Sequence, residues 1–311
     1  MRIVFMGTPD FSVPCLQALI DDGHDVCAVF TQPDKPKGRH GVLTPPPVKE
    51  LALKYDIPVY QPKTLKTDEA KELFKSLNAD LAIVVAYGKI LPGEFIHAPK
   101  YGCINMHASL LPKLRGAAPI QWSIITGEKR TGVTSMQMDE GLDTGDMILK
   151  EEVKIRADET GGSLFDRLSE VGAKLCVRTM EAIDAGTATY TPQDNSQATH
   201  TAKIYKEMGS IDWKQGAKEI ECLIRGLDPW PSAYTRLGDK MLKIWKAQVV
   251  SEESGAEPGC IVKVEKDHIL VQTGKGMLAI SELQLEGKKR MPVEAFLNGY
   301  EIEEGTYFKK G

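Results

Sequence analysis

The stretch RIVFMGTPDFSVPCLQALIDDGHDVCAVFT, residues 2–31, decides the architecture. RIVFMG is a short run of branched and aromatic residues with no polar alternation, which predicts a strand covered on both faces. SVPCLQALIDDG carries apolar residues at helical spacing, with Ser12 placed to cap, Pro14 in the first turn and Gly23 as the stop, so it predicts a helix. DVCAVFT supplies a second buried strand. Strand, helix and strand in this order imply a right-handed crossover and a parallel pair.

The alternation continues outward from that unit. A helix is expected from Pro47 to Tyr55, a short strand at IPVYQ, a helix across Thr67 to Leu77 and a strongly apolar strand in DLAIVVAYG. Beyond them come a helix near Ala117 to Thr126, strands in GVTSMQMD and MILKEEVKI, and a long amphipathic helix from Ser163 to about Ala185. Residues 1–189 are therefore expected to form an α/β domain around a doubly wound, mostly parallel sheet. Residues 190–206, polar and rich in Thr, are expected as a linker running over the surface. In 207–311 the runs AYTRLG, KMLKIWKAQVV, GCIVKVEKD, HILVQTG and GMLAISEL are separated by Gly and charged turns, which predicts a small β-barrel or sandwich, the oligonucleotide-binding (OB) fold among the options.

Bulk properties narrow the class. A chain of 311 residues, 42% hydrophobic and 26% charged, can bury two cores, and no apolar run approaches the roughly 20 residues of a membrane span. The N-terminus lacks the apolar stretch and cleavage site of a signal peptide, and six scattered cysteines without a CxxC pair suggest neither a disulfide framework nor a zinc knuckle. A monomeric cytoplasmic protein without a metal is expected. A net charge of −4 speaks against indiscriminate nucleic-acid binding and leaves room for a local basic patch.

Two features point to chemistry at the carboxyl edge of the sheet, where open α/β sheets bind ligands. MGTPDF follows the first strand, but only Gly7 of a GxGxxG pattern is present and Pro9 opposes a tight pyrophosphate turn, so no nicotinamide cofactor is expected. INMHASLLPKLRGAAPI, residues 104–120, ends a β-branched apolar entry in Asn105 and His107, whose i, i+2 spacing projects both to one face of a strand. An acid from MDEGLDTGDMI can join them: Asp143 sits between Gly141 and Gly145, while Asp139, Glu140 and Asp146 are rivals on position alone. An amide, an imidazole and a carboxylate with no Ser or Cys nucleophile beside them suit direct acyl transfer between two bound substrates.

At this point the residues carry a resemblance. The NxH pair, the SLLPxxRG loop and the Asp of GLDTGDM, in this order and separation, are similar to the signature of the folate-dependent formyltransferases, and FMGTPDFSVP, TQPDKPKGR, SIDWKQ, IRGLDPWPSAY and FLNGY extend the likeness over almost the whole chain. The resemblance implies Asn105, His107 and Asp143 as catalytic residues and 10-formyltetrahydrofolate as formyl donor, with the α-amine of methionine esterified to initiator tRNA as acceptor. It also implies that Ser109, Leu110, Leu111 and Pro112 help form the folate pocket, and VVAYGKILP, with Tyr87 and Leu91, is expected to give the pterin a wall and backbone hydrogen bonds.

For tRNA, the resemblance makes TQPDKPKGRHGVLTPPP, residues 31–47, an insertion that enters the acceptor stem, with Arg39 the leading contact and Lys37 beside it. Lys203 and Lys206 in the linker, Lys240, Lys243 and Lys246 along one strand, and the run Lys288 to Arg290 are further basic candidates; strand alternation separates Lys243 from Lys240 and Lys246. Phe11 and the Trp230 region are candidates for a side-chain pocket or an interdomain contact, with core packing the favoured reading of Trp213, Trp230 and Trp245. The rival readings are a formyltransferase acting on an amino-sugar nucleotide or purine precursor, a hydrolase releasing formate from the same folate, and an RNA-binding module with a degenerate enzyme domain.

Overall fold

The computed structural model describes residues 1–37 and 41–311, and the chain packs as two compact units. The first comprises Met1–Pro119, Arg130–Lys154 and Phe165–Thr201. Its sheet is built from β1 (Arg2–Gly7), β2 (Asp25–Phe30), β3 (Val59–Tyr60), β4 (Leu81–Val85), β5 (Cys103–His107), β6 (Arg130–Gln137) and β7 (Met147–Lys154), in the order β7-β6-β5-β4-β1-β2-β3. The pairs β3-β2, β2-β1, β1-β4 and β4-β5 are parallel, while β6 and β7 are added antiparallel. The order reverses at β1, which places a topological switch point between β1 and β4 and directs the ends of β1, β4 and β5 to one edge.

Local sequence explains these strands. Ile3, Val4, Phe5 and Met6 are fully buried, as are Leu81, Ala82 and Ile83, because helices cover both faces and the middle of each strand meets no water, leaving Arg2 exposed at the start of β1. Helices α1 (Val13–Asp21), α2 (Pro47–Lys54) and α3 (Asp68–Ser76) fall within a residue or two of expectation. Thr67 caps α3 by accepting from the Ala70 amide at 3.3 Å.

Ser12 departs from its expected role. Its buried hydroxyl donates to the Val85 carbonyl at 2.6 Å instead of capping α1, and the chain enters that helix through a 3-10 turn at Asp10–Ser12. The carbonyl needs this partner because Ala86, with φ of +47°, swings the chain out of the sheet. Residues 31–47, the insertion singled out in the sequence, contain a hairpin pairing Lys35–Lys37 with Val42–Thr44. At its base the Asp34 carboxylate accepts from Gln61 at 2.7 Å and Lys49 at 2.9 Å, which hold its pKa below the ordinary carboxylate value.

The second unit comprises Ile120–Lys129, Ile155–Leu164 and Ala202–Gly311. Strands β8 (Ala233–Leu237), β9 (Lys240–Val250), β10 (Ile261–Val264), β11 (Ile269–Gln272), β12 (Met277–Leu285), β13 (Met291–Pro292) and β14 (Phe308–Lys309) form an antiparallel sheet ordered β10-β11-β12-β9-β8-β14, with β13 on β12. The sheet curls until its ends meet: the Phe308 amide donates to the Gly259 carbonyl at 2.9 Å and the Ile261 amide to that of Thr306 at 2.8 Å. Leu242, Ile244, Ile261, Ile269, Leu278 and Ile280 fill the concave side, covered by Ile220 and Ile224 of helix α4 (Ala217–Gly226).

Of the three tryptophans expected in cores, only Trp213 lies there, stacked on Phe308 and donating its indole N–H to Thr235 at 3.0 Å. Trp230 is exposed: the Ser232 amide closes a turn onto the Leu227 carbonyl at 2.9 Å and Asp228 is held by Arg290 at 3.2 Å, which leaves the indole outside. Trp245 is outward on β9, since Leu242 and Ile244 point inward, and it lies under the Arg290 guanidinium at 4.5 Å and near Lys243 at 5.7 Å. Lys240 and Lys246 are both exposed, but register shifts on both sides of Lys246 break the simple alternation expected along this strand. Phe11 is buried edge-on against Phe165 within the first unit, at 5.3 Å between centroids.

Candidate active site

Strand β5 delivers Asn105 and His107 to the carboxyl edge of the first sheet. Asn105 pairs with Val84 of β4 and Met136 of β6, and His107 with Thr134, so both side chains sit on a backbone fixed from the neighbouring strands. Directly after them the chain turns. Leu114, Gly116 and Ala118 have φ of +58°, +101° and +54°, conformations that neither strand nor helix sustains. The turn is tied down by Thr134, whose hydroxyl donates to the Ser109 carbonyl at 2.7 Å and accepts from the Leu111 amide at 3.2 Å, and by Lys150, whose ammonium donates to the Leu111 carbonyl at 2.6 Å.

The third residue arrives on the segment between β6 and β7. Asp143 has φ of +53°, and its Oδ2 accepts from the Gly116 amide at 2.7 Å, which locks the two loops together. Its Oδ1 stands 3.5 Å from the Asn105 amide nitrogen, and its Oδ2 3.7 Å from His107 Nδ1. The glycine bracket is a steric need at Gly145, where a Cβ would collide with the Gln137 carbonyl. Asp139 instead accepts from the Gly141 amide and the Thr144 hydroxyl of its own loop, and Glu140 is exposed beside His97.

His107 is buried, and its orientation comes from a backbone group. Nε2 lies 3.0 Å from the Leu114 carbonyl, which can only accept, so Nε2 carries a hydrogen and Nδ1 is the nitrogen turned toward Asp143. At 3.7 Å the carboxylate is beyond hydrogen-bond reach of Nδ1 but within ion-pair range. The ring is thus held by the Leu114 carbonyl and not by Asp143.

The other candidates fall as follows. Ser109 and Leu111 are buried, the Ser109 hydroxyl being spent on the Lys113 carbonyl at 2.7 Å, and Leu110 and Pro112 are half-buried. Tyr87 and Leu91 pack in the core with Phe74 and Phe95, and burial pushes the Tyr87 phenol up to about 12. Their stretch therefore presents mainly backbone and the exposed Ile90. Lys203 and Lys206 are exposed, Lys243 lies beside Trp245, Lys37 belongs to the hairpin by its backbone, and Arg39 lies outside the described residues. A cavity of about 430 Å³ bounded by Phe74, Asp80, Pro99 and Lys100 is at the opposite, amino end of β4 and β5 and belongs to none of this. The main residues missed in sequence are Arg115, which is buried, and Gln193; a basic residue in an RG pair and a Gln in a polar run both look like solvated surface.

The sequence itself matches models of a known family. The model of the formyl transferase family covers residues 1–180, and that of the formyl transferase C-terminal domain covers 203–301. The chain belongs to the formyl transferase family. Among its relatives, the methionyl-tRNA formyltransferase of Agathobacter rectalis is 57% identical over 308 residues, 99% of each chain, and that of Bacillus subtilis 51% identical over 305 residues, 98% of this chain and 96% of its own. The structure of an N-formyltransferase from Helicobacter canadensis in complex with folinic acid and dTDP-3-aminofucose superposes with a TM-score of 0.69 at 19% identity, covering 94% of this chain and all of that one, which shows the shared fold.

Proposed function

We propose that the chain transfers the formyl group of 10-formyltetrahydrofolate to the α-amine of methionyl initiator tRNA. The near-full-length identity to methionyl-tRNA formyltransferases supports the substrates, and the convergence of Asn105, His107 and Asp143 on one point of the sheet edge carries the chemistry. The unprotonated amine attacks the formyl carbon directly. Asn105 donates its amide N–H to the developing oxyanion, and protonated His107 adds a second donor from Nδ1, the nitrogen the Leu114 carbonyl leaves free. Asp143 takes the amine proton and passes it toward the departing folate nitrogen.

Among the described residues, the side chains beside the site give a covalent route no support. Cys103 is buried in the same strand and its thiol is pushed up to about 12 by burial, while Ser109 donates to a carbonyl. The donor is placed against the turn at Ser109, Leu110, Leu111 and Pro112 and the stretch holding Tyr87 and Leu91. The tRNA is placed against Lys37, Arg39, Lys203, Lys206 and Lys243. Formyl incorporation into charged initiator tRNA, compared with charged elongator tRNA and with a UDP-amino-sugar, tests the assignment: initiator tRNA is the expected acceptor, and transfer to the sugar alone overturns it.

A further inference from the structure

We infer that Gln193 is a positioning residue for the reaction, the node of a strap, residues 191–201, that fixes Asp143 relative to the turn after His107. The sequence places this segment in a surface linker, yet it belongs to the first unit and hydrogen-bonds both site loops. Toward the Asp143 loop, Thr191 and Met147 exchange backbone hydrogen bonds at 2.9 Å. Toward the turn, the Leu114 amide donates to the Thr199 hydroxyl and the Arg115 amide to the Thr199 carbonyl, both at 2.8 Å, and His200 and Thr201 run parallel to Arg115 and Gly116.

Among the described residues of the strap, Gln193 is the one whose side chain touches both loops. Its Oε1 accepts from Arg115 Nε at 3.0 Å and Nη2 at 2.8 Å, and Nη2 also donates to Asn195 at 2.8 Å. With the oxygen so occupied, the amide can face only one way, and its Nε2 donates to the Asp143 and Gly145 carbonyls, each at 2.8 Å. These bonds hold the carbonyls of the two residues that flank Thr144, one of them Asp143 itself, which sits in the left-handed region that a non-glycine residue leaves readily when unsupported. Arg115 is buried, and Gln193 and Asn195 are the acceptors that satisfy it, so the strap and turn order each other.

Two substitutions separate the donor role from mere packing. Gln193→Glu keeps the acceptor for Arg115 but sets an oxygen against the two carbonyls; Gln193→Met removes both functions at similar volume. Both are expected to lower kcat for formyl transfer on the order of tenfold to a hundredfold, because small displacements of reacting groups cost that much, with KM for the folate donor changed less than about twofold. In an Asp143→Asn background the further loss is expected to vanish, since the clamp acts through Asp143. The inference rests on the assignment of Asp143: full turnover by Asp143→Asn overturns that assignment, whereas an impaired Asp143→Asn with full activity in Gln193→Glu, or losses that multiply in the double variant, overturns the clamp alone. Should Gln193→Met fail to fold, the Gln193→Glu comparison decides by itself.

Discussion

At the residue scale, the chemistry rests on donors whose geometry is set by partners of different legibility. The NxH spacing of Asn105 and His107 is readable because a strand repeats every two residues, and β5 indeed carries both to one edge. Asp143 is not readable by position alone: four acids lie within eight residues, and only the close approach at Gly145 and the Gly116 amide pick one. The Leu114 carbonyl that orients His107 leaves no trace in sequence, since every residue has a carbonyl and the turn that aims this one depends on three positive φ angles. In the proposed reaction Asn105 contributes its N–H where charge develops, and its contact with Asp143 at 3.5 Å is long enough to be exchanged for a substrate oxygen. Asn105→Ala is expected to reduce kcat by about 10²-fold or more with the fold intact, measured as steady-state formyl transfer; near-normal turnover rejects the oxyanion role.

At the element scale, strands and helices with clear periodicity were legible, and departures occur where tertiary contacts override a local signal. Ser12 has the identity of a cap but the location of a buried hydroxyl, and the carbonyl of Val85 wins it. The strap at 191–201 has no periodicity because it is ordered by single hydrogen bonds to two loops and not by an apolar face. Helix α4 shows a buried charge that periodicity also conceals. Burial alone would push the Glu221 carboxyl up, but hydrogen bonds from Arg225 and from Lys218, the latter at 2.7 Å, outweigh it and the net shift is downward. A carboxyl lowered on folding stabilises above its unfolded pKa of about 4.3 and loses that contribution as pH falls through the lower folded value. The wild-type protein is therefore expected to lose urea resistance below about pH 4.3, and Glu221→Gln to be weaker at neutral pH with a flatter acid limb. A parallel acid limb in the variant contradicts this.

At the scale of the whole molecule, the two-part plan was legible from the change of texture near residue 190: helix and strand alternation before it, short strands and charged turns after it. What composition could not convey is where the outer faces lie. Trp230 and Trp245 look like core residues, yet a turn pinned by Asp228 and the inward alternation of Leu242 and Ile244 put them outside, with Arg290 and Lys243 at Trp245. Net charge of −4 likewise hides the basic positions proposed to contact tRNA. Arg39→Ala is expected to raise KM for charged tRNA and to reduce the salt slope of tRNA binding by about one, with folate binding unchanged; equal damage to folate binding places Arg39 elsewhere.

In the proposed reaction the formyl carbon passes from folate to amine without resting on the protein. The direct measurement is a rapid-quench experiment with 10-formyltetrahydrofolate labelled in the formyl carbon. Mixed with the enzyme alone, the label is expected to stay on the folate, and addition of charged initiator tRNA is expected to move it to the methionine amine. Label recovered on the polypeptide before tRNA is added, or no label on the methionine afterwards, contradicts the account.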